Sequence, residues 1–180
     1  MTTDREILHL YREGGREEAF RLLVQAYKER LYWHIRRMVL DHDDADDCLQ
    51  NTFLKAWRSL DLFRGDAQLY TWLYRIATNE TLTFLSKQQT RGDQTVLSAA
   101  ERLPSDPWFD GDQLQVALHQ AIAKLPPKQK AVFNLRYFEE MPYEKMAEVL
   151  ETSEGALKAS YHHAYEKVKA WVKEAIDAKY

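Results

Sequence analysis

Apolar residues recur at steps of three and four along most of this chain, and this spacing constrains the fold more than any other feature. Such a stripe places apolar side chains on one face of an α-helix. The longest stripe predicts a helix over residues 16–40, and shorter stripes predict further helices on both sides of it. Only 6 glycines and 5 prolines occur, which disfavours a turn-rich β fold. The sequence therefore predicts an all-α protein.

The helical pattern is interrupted between residues 88 and 111. This segment contains two glycines, two prolines and several polar residues, and its apolar residues show no period. Such a mixture is typical of a linker between domains. We therefore predict two helical domains, at residues 1–90 and 112–180, joined by a flexible linker at residues 91–111 with at most one short helix.

Charge and cysteine content restrict the classes of function. The net charge is −3, whereas DNA-binding domains tend to be basic, so any nucleic-acid site must be argued from local arrangement. Cys48 is the single cysteine, which excludes an intramolecular disulfide and a multi-cysteine metal site. No apolar run approaches the roughly 20 residues needed to span a bilayer, and the charged N-terminus does not resemble a signal peptide. A cytoplasmic location without a membrane segment is expected.

Two helical stripes flank a turn at residues 151–153, which is the outline of a helix-turn-helix. Ala147 is small where the two helices must cross. The second helix shows Lys158 and His162 on its outer side, from which polar side chains reach base edges in a major groove. Because only Lys158 is firmly cationic there, an ordinary helical hairpin with a solvated face stays open as the alternative.

Aromatic, arginine and amide side chains are mixed over residues 61–79. Aromatic rings stack on unpaired bases, each worth about 1–3 kcal/mol. Arginines neutralise phosphates, and an asparagine pairs with a base edge. Phe63, Arg64 and Asn79 are therefore candidates for contacts with single-stranded DNA. Trp72 lies on the predicted buried stripe and is expected in the core.

Carboxylates cluster over residues 43–47, but the calcium-loop pattern with its central glycine is absent. A solvated acidic face, or a docking face for a basic partner, is favoured over a metal site. The sequence also has no phosphate-binding glycine loop, no HExxH and no nucleophile elbow. We therefore predict no catalytic residues, no metal and no cofactor.

Together these segments resemble the sigma-70 family of bacterial RNA polymerase factors. Residues 44–57 (DADDCLQNTFLKAW) resemble its polymerase-docking helix, and residues 63–79 resemble its promoter-melting element, both within the helical bundle called region 2. Residues 125–171 resemble the helix-turn-helix domain called region 4. The passage from one to the other across a short linker resembles the extracytoplasmic-function group of this family.

The resemblance implies a factor that performs no chemistry itself, directs core RNA polymerase to promoters and helps to melt them. The implied partners are the β′ clamp helices and β flap of the polymerase, promoter DNA, and an anti-sigma protein that holds the factor inactive. The free chain is expected to be a monomer.

The resemblance also implies roles for three groups of residues. The group that contacts the β′ clamp helices comprises Asp46, Asp47, Gln50, Asn51 and Phe53. The group that holds the unpaired −10 strand, with one base flipped out of the stack, comprises Phe63, Arg64, Arg75 and Asn79. The group that meets the −35 element comprises Lys158, Ala159, Ser160, His162 and His163, with Arg136 and Lys128 at flanking phosphates.

The chain departs from the family pattern at both partner surfaces. Asn51 stands where the docking helix usually has glutamate, and Ser160, His163 and Tyr165 stand where arginines are frequent in the recognition helix. Each lost phosphate contact weakens DNA binding and lowers its salt dependence. The resemblance therefore predicts where the −35 surface lies but not which sequence it prefers.

Three other interpretations remain at this point. A stand-alone helix-turn-helix regulator with an N-terminal sensing domain would bind duplex DNA tightly without polymerase. A pure docking protein would bind polymerase but not DNA, so substitutions at Asn79 and Lys158 would change nothing. An enzyme with an unrecognised helical fold would need a convergent polar pocket.

Overall fold

The structure, a computed structural model, describes residues 2–63, 65, 68–92, 95–107, 109 and 111–179. Within these residues the secondary structure consists of α-helices and two short 3-10 helices, and no strand is present. This confirms the prediction of an all-α fold. No helix in these ranges is both long and apolar enough to cross a bilayer.

The helices form two groups with a short helical segment between them. The first group comprises α1 (Asp4–Arg12), α2 (Arg16–Val39), α3 (His42–Ser59) and α4 (Leu69–Thr90), with a 3-10 helix at Leu60–Leu62. The intervening segment holds α5 (Thr95–Glu101) and a 3-10 helix at Leu103–Ser105. The second group comprises α6 (Gln113–Ala123), α7 (Pro127–Tyr137), α8 (Tyr143–Leu150) and α9 (Glu154–Asp177).

Side-chain caps explain where several helices begin. Thr3 and Glu6 form a capping box at α1, in which each side chain accepts a hydrogen bond from the backbone N–H of the other residue. Asp41 caps α3 by accepting from the backbone N–H of Asp44 at 3.0 Å. Ser153 caps α9 by accepting from the backbone N–H of Ala156 at 3.2 Å.

The buried face of α4 differs from the one that the sequence predicted. In α3, Cys48 and Thr52 are buried, and Trp57 is half-buried. In α4 the fully buried aromatic residue is Tyr74, and Trp72 is half-buried. The prediction that Trp72 lies in the core is therefore wrong, because α4 turns toward α2 the face that carries Tyr74.

The segment predicted as a linker packs against the end of α2. Leu40, which follows α2 with φ +65, joins an apolar cluster with Leu103 and Phe109 of this segment. Arg36 of α2 also donates to the carboxylate of Asp106 at 2.5 Å. The apolar residues of this segment show no helical period because they lie on short helices and turns rather than on one long helix.

The two helical groups share one apolar core. Residues of the second group that belong to the same buried cluster as α2 and α4 are Ala131, Val132, Leu135, Met141, Met146, Val149 and Leu157. Helix α7 lies against α2 and α4, and α8 lies against α4. The sequence did not predict this contact, because periodicity indicates that a face is buried but not which element covers it.

Two buried histidines are held in the neutral form. His34 Nε2 lies 2.9 Å from the hydroxyl of Thr78, and burial lowers the pKa of His34 to about 3. The ring of His119 stacks on Phe138 with 5.3 Å between centres, and burial lowers the pKa of His119 to about 4. The positive charge of Arg37 lowers both pKa values further. Both histidines are therefore structural.

We expect acid to destabilise the fold well above the pH at which carboxylates titrate. The unfolded chain binds protons on these histidines below about pH 6.5, whereas the folded chain does not. The stabilisation is complete above that pH and is lost on acidification, by about 2 kcal/mol for each histidine at pH 5. Thermal unfolding at pH 7.5 and pH 5 measures the loss, and an equal unfolding temperature at the two pH values would contradict it.

The cap of α9 provides a second test of the fold. Replacing Ser153→Ala removes the acceptor for a backbone N–H that has no partner within the helix, so we expect a loss of about 1 kcal/mol in the free energy of unfolding. Ser153→Asp keeps an acceptor and is the control that retains stability. Urea denaturation of both variants measures the difference.

Candidate nucleic-acid interface

Helices α8 and α9 form the helix-turn-helix. Glu151 adopts a left-handed conformation at the end of α8 (φ +51, ψ 45), and the hydroxyl of Thr152 donates to the carbonyl oxygen of Leu150 at 3.0 Å. Met146 and Leu157 are buried where the helices cross, at 0% and 1% exposure. The apolar crossing fixes one side of α9, so its opposite side projects outward.

The residues assigned to the −35 element lie mostly on this outer side. Lys158, Ala159, His162 and His163 are exposed, and Ser160 is half-buried. In the first turn of α9, a side chain added at Gly155 would meet no atom within 4 Å, so nothing blocks the approach of a ligand there. The structure therefore brings the predicted recognition-helix residues together on an accessible face.

The two flanking cations have different environments. Arg136 is half-buried; its guanidinium donates to the carbonyl oxygen of Met141 at 3.1 Å and lies 4.5 Å from the ring centre of Tyr143. The ammonium of Lys158 lies 5.7 Å from the same ring. Lys128 is exposed near the start of α7. Tyr143 thus lies beside two of the cations assigned to the −35 element, at distances that allow cation–π attraction.

Sequence reasoning assigned no such role to Tyr143. Tyr143 stands directly after Pro142, at the first position of α8. An aromatic residue at the start of the helix-turn-helix is the sequence signal that could have indicated a ring for the nearby cations to contact.

The candidate −10 residues gather around the start of α4. The ring of Phe63 lies 5.1 Å from that of Trp72, centre to centre. Trp72, Arg75 and Asn79 follow steps of three and four and so share one face of the helix. Arg75 and Asn79 are exposed. Arg64 lies outside the described residues.

The half-buried position of Trp72 makes it an addition to this group. Its ring packs on Phe63 at the edge of the main apolar core, so the two aromatic residues border the same helix face as Arg75 and Asn79. The sequence signal for this role is the spacing of three and four residues from Trp72 to Arg75 and Asn79, which places them on one helix face. Trp72 also fits the apolar stripe of the same helix, and that pattern favoured a core position.

Arg75 already has a partner in the second group of helices. Its guanidinium forms an ion pair with the carboxylate of Glu151 in the helix-turn-helix turn. Both side chains are partly exposed, at 48% and 63%. The helix that carries the candidate −10 residues is therefore joined directly to the domain that carries the candidate −35 residues.

The candidate docking residues lie along α3. Asp47, Gln50 and Asn51 are exposed; Asp46 is half-buried and lies 3.2 Å from His42. Phe53 is half-buried, with its ring edge-on to that of Phe20 at 6.3 Å.

Leu54 was not predicted as part of this surface. It is 52% exposed and lies four residues after Gln50 and three after Asn51, so it extends the same face. An exposed leucine between polar residues gives a docking helix an apolar contact to bury.

The acidic start of α3 has no sign of metal or thiol chemistry. Burial, together with Asp41 and the other nearby carboxylates, raises the pKa of Asp44. Burial raises the pKa of the Cys48 thiol to about 12, so this thiol is unreactive at neutral pH. Over the described part of the chain, no group of three or more His, Cys, Asp or Glu residues is placed to hold a metal ion.

Comparison with known proteins agrees with this arrangement. The family models for Sigma-70 region 2 and Sigma-70, region 4 match residues 23–91 and 115–168. The chain is 31% identical over 172 residues to the RNA polymerase sigma-H factor of Pseudomonas aeruginosa, with 87% of each chain covered. It is 29% identical over 178 residues to the ECF RNA polymerase sigma-E factor of Escherichia coli, with 92% of each covered.

Two solved structures share the fold. The structure of CnrH in complex with the cytosolic domain of CnrY matches with a TM-score of 0.66 at 24% identity, covering 88% of this chain and 90% of that one. The co-crystal structure of the sigma factor RpoE with the anti-sigma factor NepR from Bartonella quintana matches with a TM-score of 0.66 at 22% identity, covering 86% and 96%.

The two matched regions fall on the two groups of helices, in the order that the sequence predicted. The chain therefore belongs to the sigma-70 family, as an RNA polymerase sigma factor of the extracytoplasmic-function group.

Proposed function

We propose that this sigma factor divides promoter recognition between its two domains. Residues 1–90 bind core polymerase and the −10 element, residues 112–180 bind the −35 element, and residues 91–111 connect them. The observation that carries the proposal is the exposed side of α9, where Lys158 and His162 face outward above an apolar crossing. A helix with this distribution fits a major groove.

The −10 contact is proposed at the face of α4 that begins at Trp72. Phe63 and Trp72 offer aromatic surfaces on which unpaired bases stack. Arg75 supplies a cation for the strand phosphates, and Asn79 supplies an amide for a base edge. Arg64 belongs to the same proposal on the resemblance alone.

Core polymerase is proposed to bind along α3. Asp46, Asp47, Gln50 and Asn51 present carboxylates and amides, and Phe53 and Leu54 add apolar area next to them. Acidic side chains around an apolar centre fit a basic partner surface and steer its approach. Asn51 lacks the charge usual at its position, so Asp47 carries more of the attraction.

The other partners follow from the relatives. The RpoE chain in the similar structure is bound to an anti-sigma factor, and we propose that a protein of this class also holds the present chain inactive. Sigma factors generally act as regulators rather than enzymes, so we propose no reaction and no cofactor for this chain. The free protein would be a monomer that works with polymerase in the bacterial cytoplasm.

Run-off transcription with core polymerase from the source bacterium, on fragmented genomic DNA, tests the proposal. Discrete transcripts that need the protein are expected. Tight binding to promoter duplex without polymerase would instead favour a stand-alone regulator. Binding to core polymerase with no transcripts would favour a docking protein.

The −10 assignment predicts the effect of Asn79→Ala. Loss of a base-edge contact in the open strand should reduce run-off transcription by about tenfold, since such a contact contributes about 1–3 kcal/mol. Thr83→Ala, one turn further along the exposed side of α4, is the matched control and should leave transcript levels unchanged. Equal transcription by wild type and Asn79→Ala would remove Asn79 from the proposed contact.

The −35 assignment predicts the effect of Lys158→Ala on the holoenzyme. Removing one phosphate contact should weaken promoter binding and reduce the slope of log affinity against log salt by about 1. Lys169→Ala, three turns further along α9 and also exposed, should keep the wild-type slope. Promoter affinity is measured by fluorescence anisotropy between low and moderate salt, and equal slopes for all three proteins would contradict the assignment.

A further inference from the structure

A cationic cavity lies between α1, α2, the start of α4 and one side of α8. Its volume is about 670 Å³, within the range of about 300–1,000 Å³ that is usual for small-molecule sites. Arg5 and Arg12 of α1, Arg30 of α2 and Lys145 of α8 line it, and Asp4 carries the only carboxylate among the described lining residues. The chain as a whole has a net charge of −3, so this group of cations is a local reversal of charge.

The carboxylate of Asp4 is engaged elsewhere and does not neutralise the arginines. The hydroxyl of Tyr27 donates to this carboxylate, with its oxygen 2.7 and 2.8 Å from the two carboxylate oxygens. Burial and the neighbouring Asp4 raise the pKa of Tyr27, so the hydroxyl keeps its proton. Within the part of the chain that the structure describes, no ion pair joins a carboxylate to Arg5, Arg12 or Arg30. The three guanidinium groups therefore repel one another across the cavity.

Aromatic rings hold Arg30 beside the cavity. Its guanidinium lies 5.6 Å from the ring centre of Tyr27, 5.8 Å from that of Tyr70 and 5.9 Å from that of Tyr74. Cation–π attraction operates at these separations, and it orients the guanidinium without neutralising its charge. A guanidinium has five N–H donors, and Arg30 is exposed. Donors of Arg30 therefore remain for a ligand.

Three arginines around one cavity fit a ligand that carries several phosphate groups. A planar guanidinium donates to two phosphate oxygens at once, and hydrogen bonds between charged partners are roughly twice as strong as neutral ones. Lys145 adds less to this potential, because its ammonium lies 3.7 Å from the carboxylate of Glu148. The first turn of α4, which borders the cavity, holds no acidic side chain that would repel such a ligand.

The rest of the lining fits an aromatic base. The ring of Tyr70 is half-buried and lines the cavity together with the apolar side chain of Leu8. Aromatic rings stack on nucleobases. The exposed amide of Gln68, also in the lining, offers the donor and the acceptor that pair with a base edge. The cavity thus combines groups for phosphates with groups for a base.

The cavity is separate from the proposed −10 surface. Tyr70 stands four residues before Tyr74 and shares the inward face of α4 with it, and the two rings lie 5.7 Å apart, centre to centre. Trp72, Arg75 and Asn79 occupy a different face of the same helix. A ligand beside Tyr70 therefore leaves the proposed strand contacts uncovered.

We propose that this cavity binds a nucleoside polyphosphate, with Arg5, Arg12 and Arg30 at the phosphates and Tyr70 stacked on the base. The bound phosphates supply the counter-charge that the arginines lack within the described chain. Because the ligand binds the folded protein, it also stabilises the fold by mass action. The proposal does not depend on the proposed contacts with promoter DNA.

Isothermal titration calorimetry on the full chain tests the proposal. The probes are ATP, GTP, CTP and UTP in turn, and inorganic tripolyphosphate, without divalent metal and at physiological ionic strength. Charges farther apart than about 8 Å are largely screened under this condition, which suppresses unspecific attraction. The variant is Arg5→Ala with Arg12→Ala, and the matched control is Arg58→Ala with Arg91→Ala. All four arginines are exposed, and the control pair lies outside the cavity lining.

We expect wild type and control to bind at least one of the four nucleotides saturably, with one molecule per chain. The variant should bind this nucleotide about tenfold more weakly for each guanidinium removed, because each loses a charge-assisted hydrogen bond. Tyr70→Leu should weaken nucleotide binding about tenfold and leave tripolyphosphate binding unchanged, since only the nucleotide has a base to stack. Equal unfolding temperatures of wild type and variants verify that each variant is folded.

Arg30→Gln, on α2, provides an independent variant if the two changes in α1 lower the unfolding temperature. It should weaken binding of the same nucleotide about tenfold.

Lack of saturable binding to all four nucleotides would overturn the proposal, as would equal affinities of the variants and the control. Tripolyphosphate that binds as tightly as the best nucleotide would overturn the base contact. Displacement of the nucleotide by a mixed-sequence single-stranded DNA of about 12 nucleotides, at equal phosphate concentration, would identify a strand site instead. The proposed promoter contacts are tested separately by run-off transcription with Asn79→Ala.

Discussion

The burial of helix α2 is the constraint on which the rest of the structure depends. Helices α1, α3, α4 and α7 all pack against it, so it contributes to the cores of both domains. Leu23, Leu31 and Ile35 are fully buried along its length. A helix covered on several sides cannot move without exposing a large apolar area, at about 25 cal/mol for each Å². The helices around α2 are therefore oriented by the apolar faces that they bury against it, and this orientation determines which of their side chains face outward.

The proposed binding surfaces are the helix faces that this packing leaves exposed. Helix α4 turns Tyr74 inward and presents Arg75 and Asn79, and α9 turns Leu157 inward and presents Lys158. A one-residue rotation of either helix would bury the polar side chains and expose the apolar ones. The same hydrophobic term that stabilises the fold thus also selects which side chains are presented on the surfaces proposed to bind DNA and polymerase.

Local arrangement also explains how an acidic protein carries DNA-binding surfaces. The chain has a net charge of −3, yet Arg136 and Lys158 are gathered around the ring of Tyr143. Acidic side chains are concentrated at α3, away from those cations in the sequence. Exposed charges farther apart than about 8–10 Å are largely screened at physiological salt, so the local groups matter more than the sum.

The sequence alone determined most of the helices, their order and the family, because helical periodicity and the motif at residues 63–79 are local signals. It also placed Lys158 on the outside of the recognition helix. Only the tertiary structure decided that Trp72 borders the proposed strand site, that Tyr143 gathers two cations, and that Glu139 and Glu151 join the domains. The Glu139 and Glu151 contacts link residues 65 and 76 positions apart in the chain, and periodicity identifies an apolar face without identifying the surface that covers it.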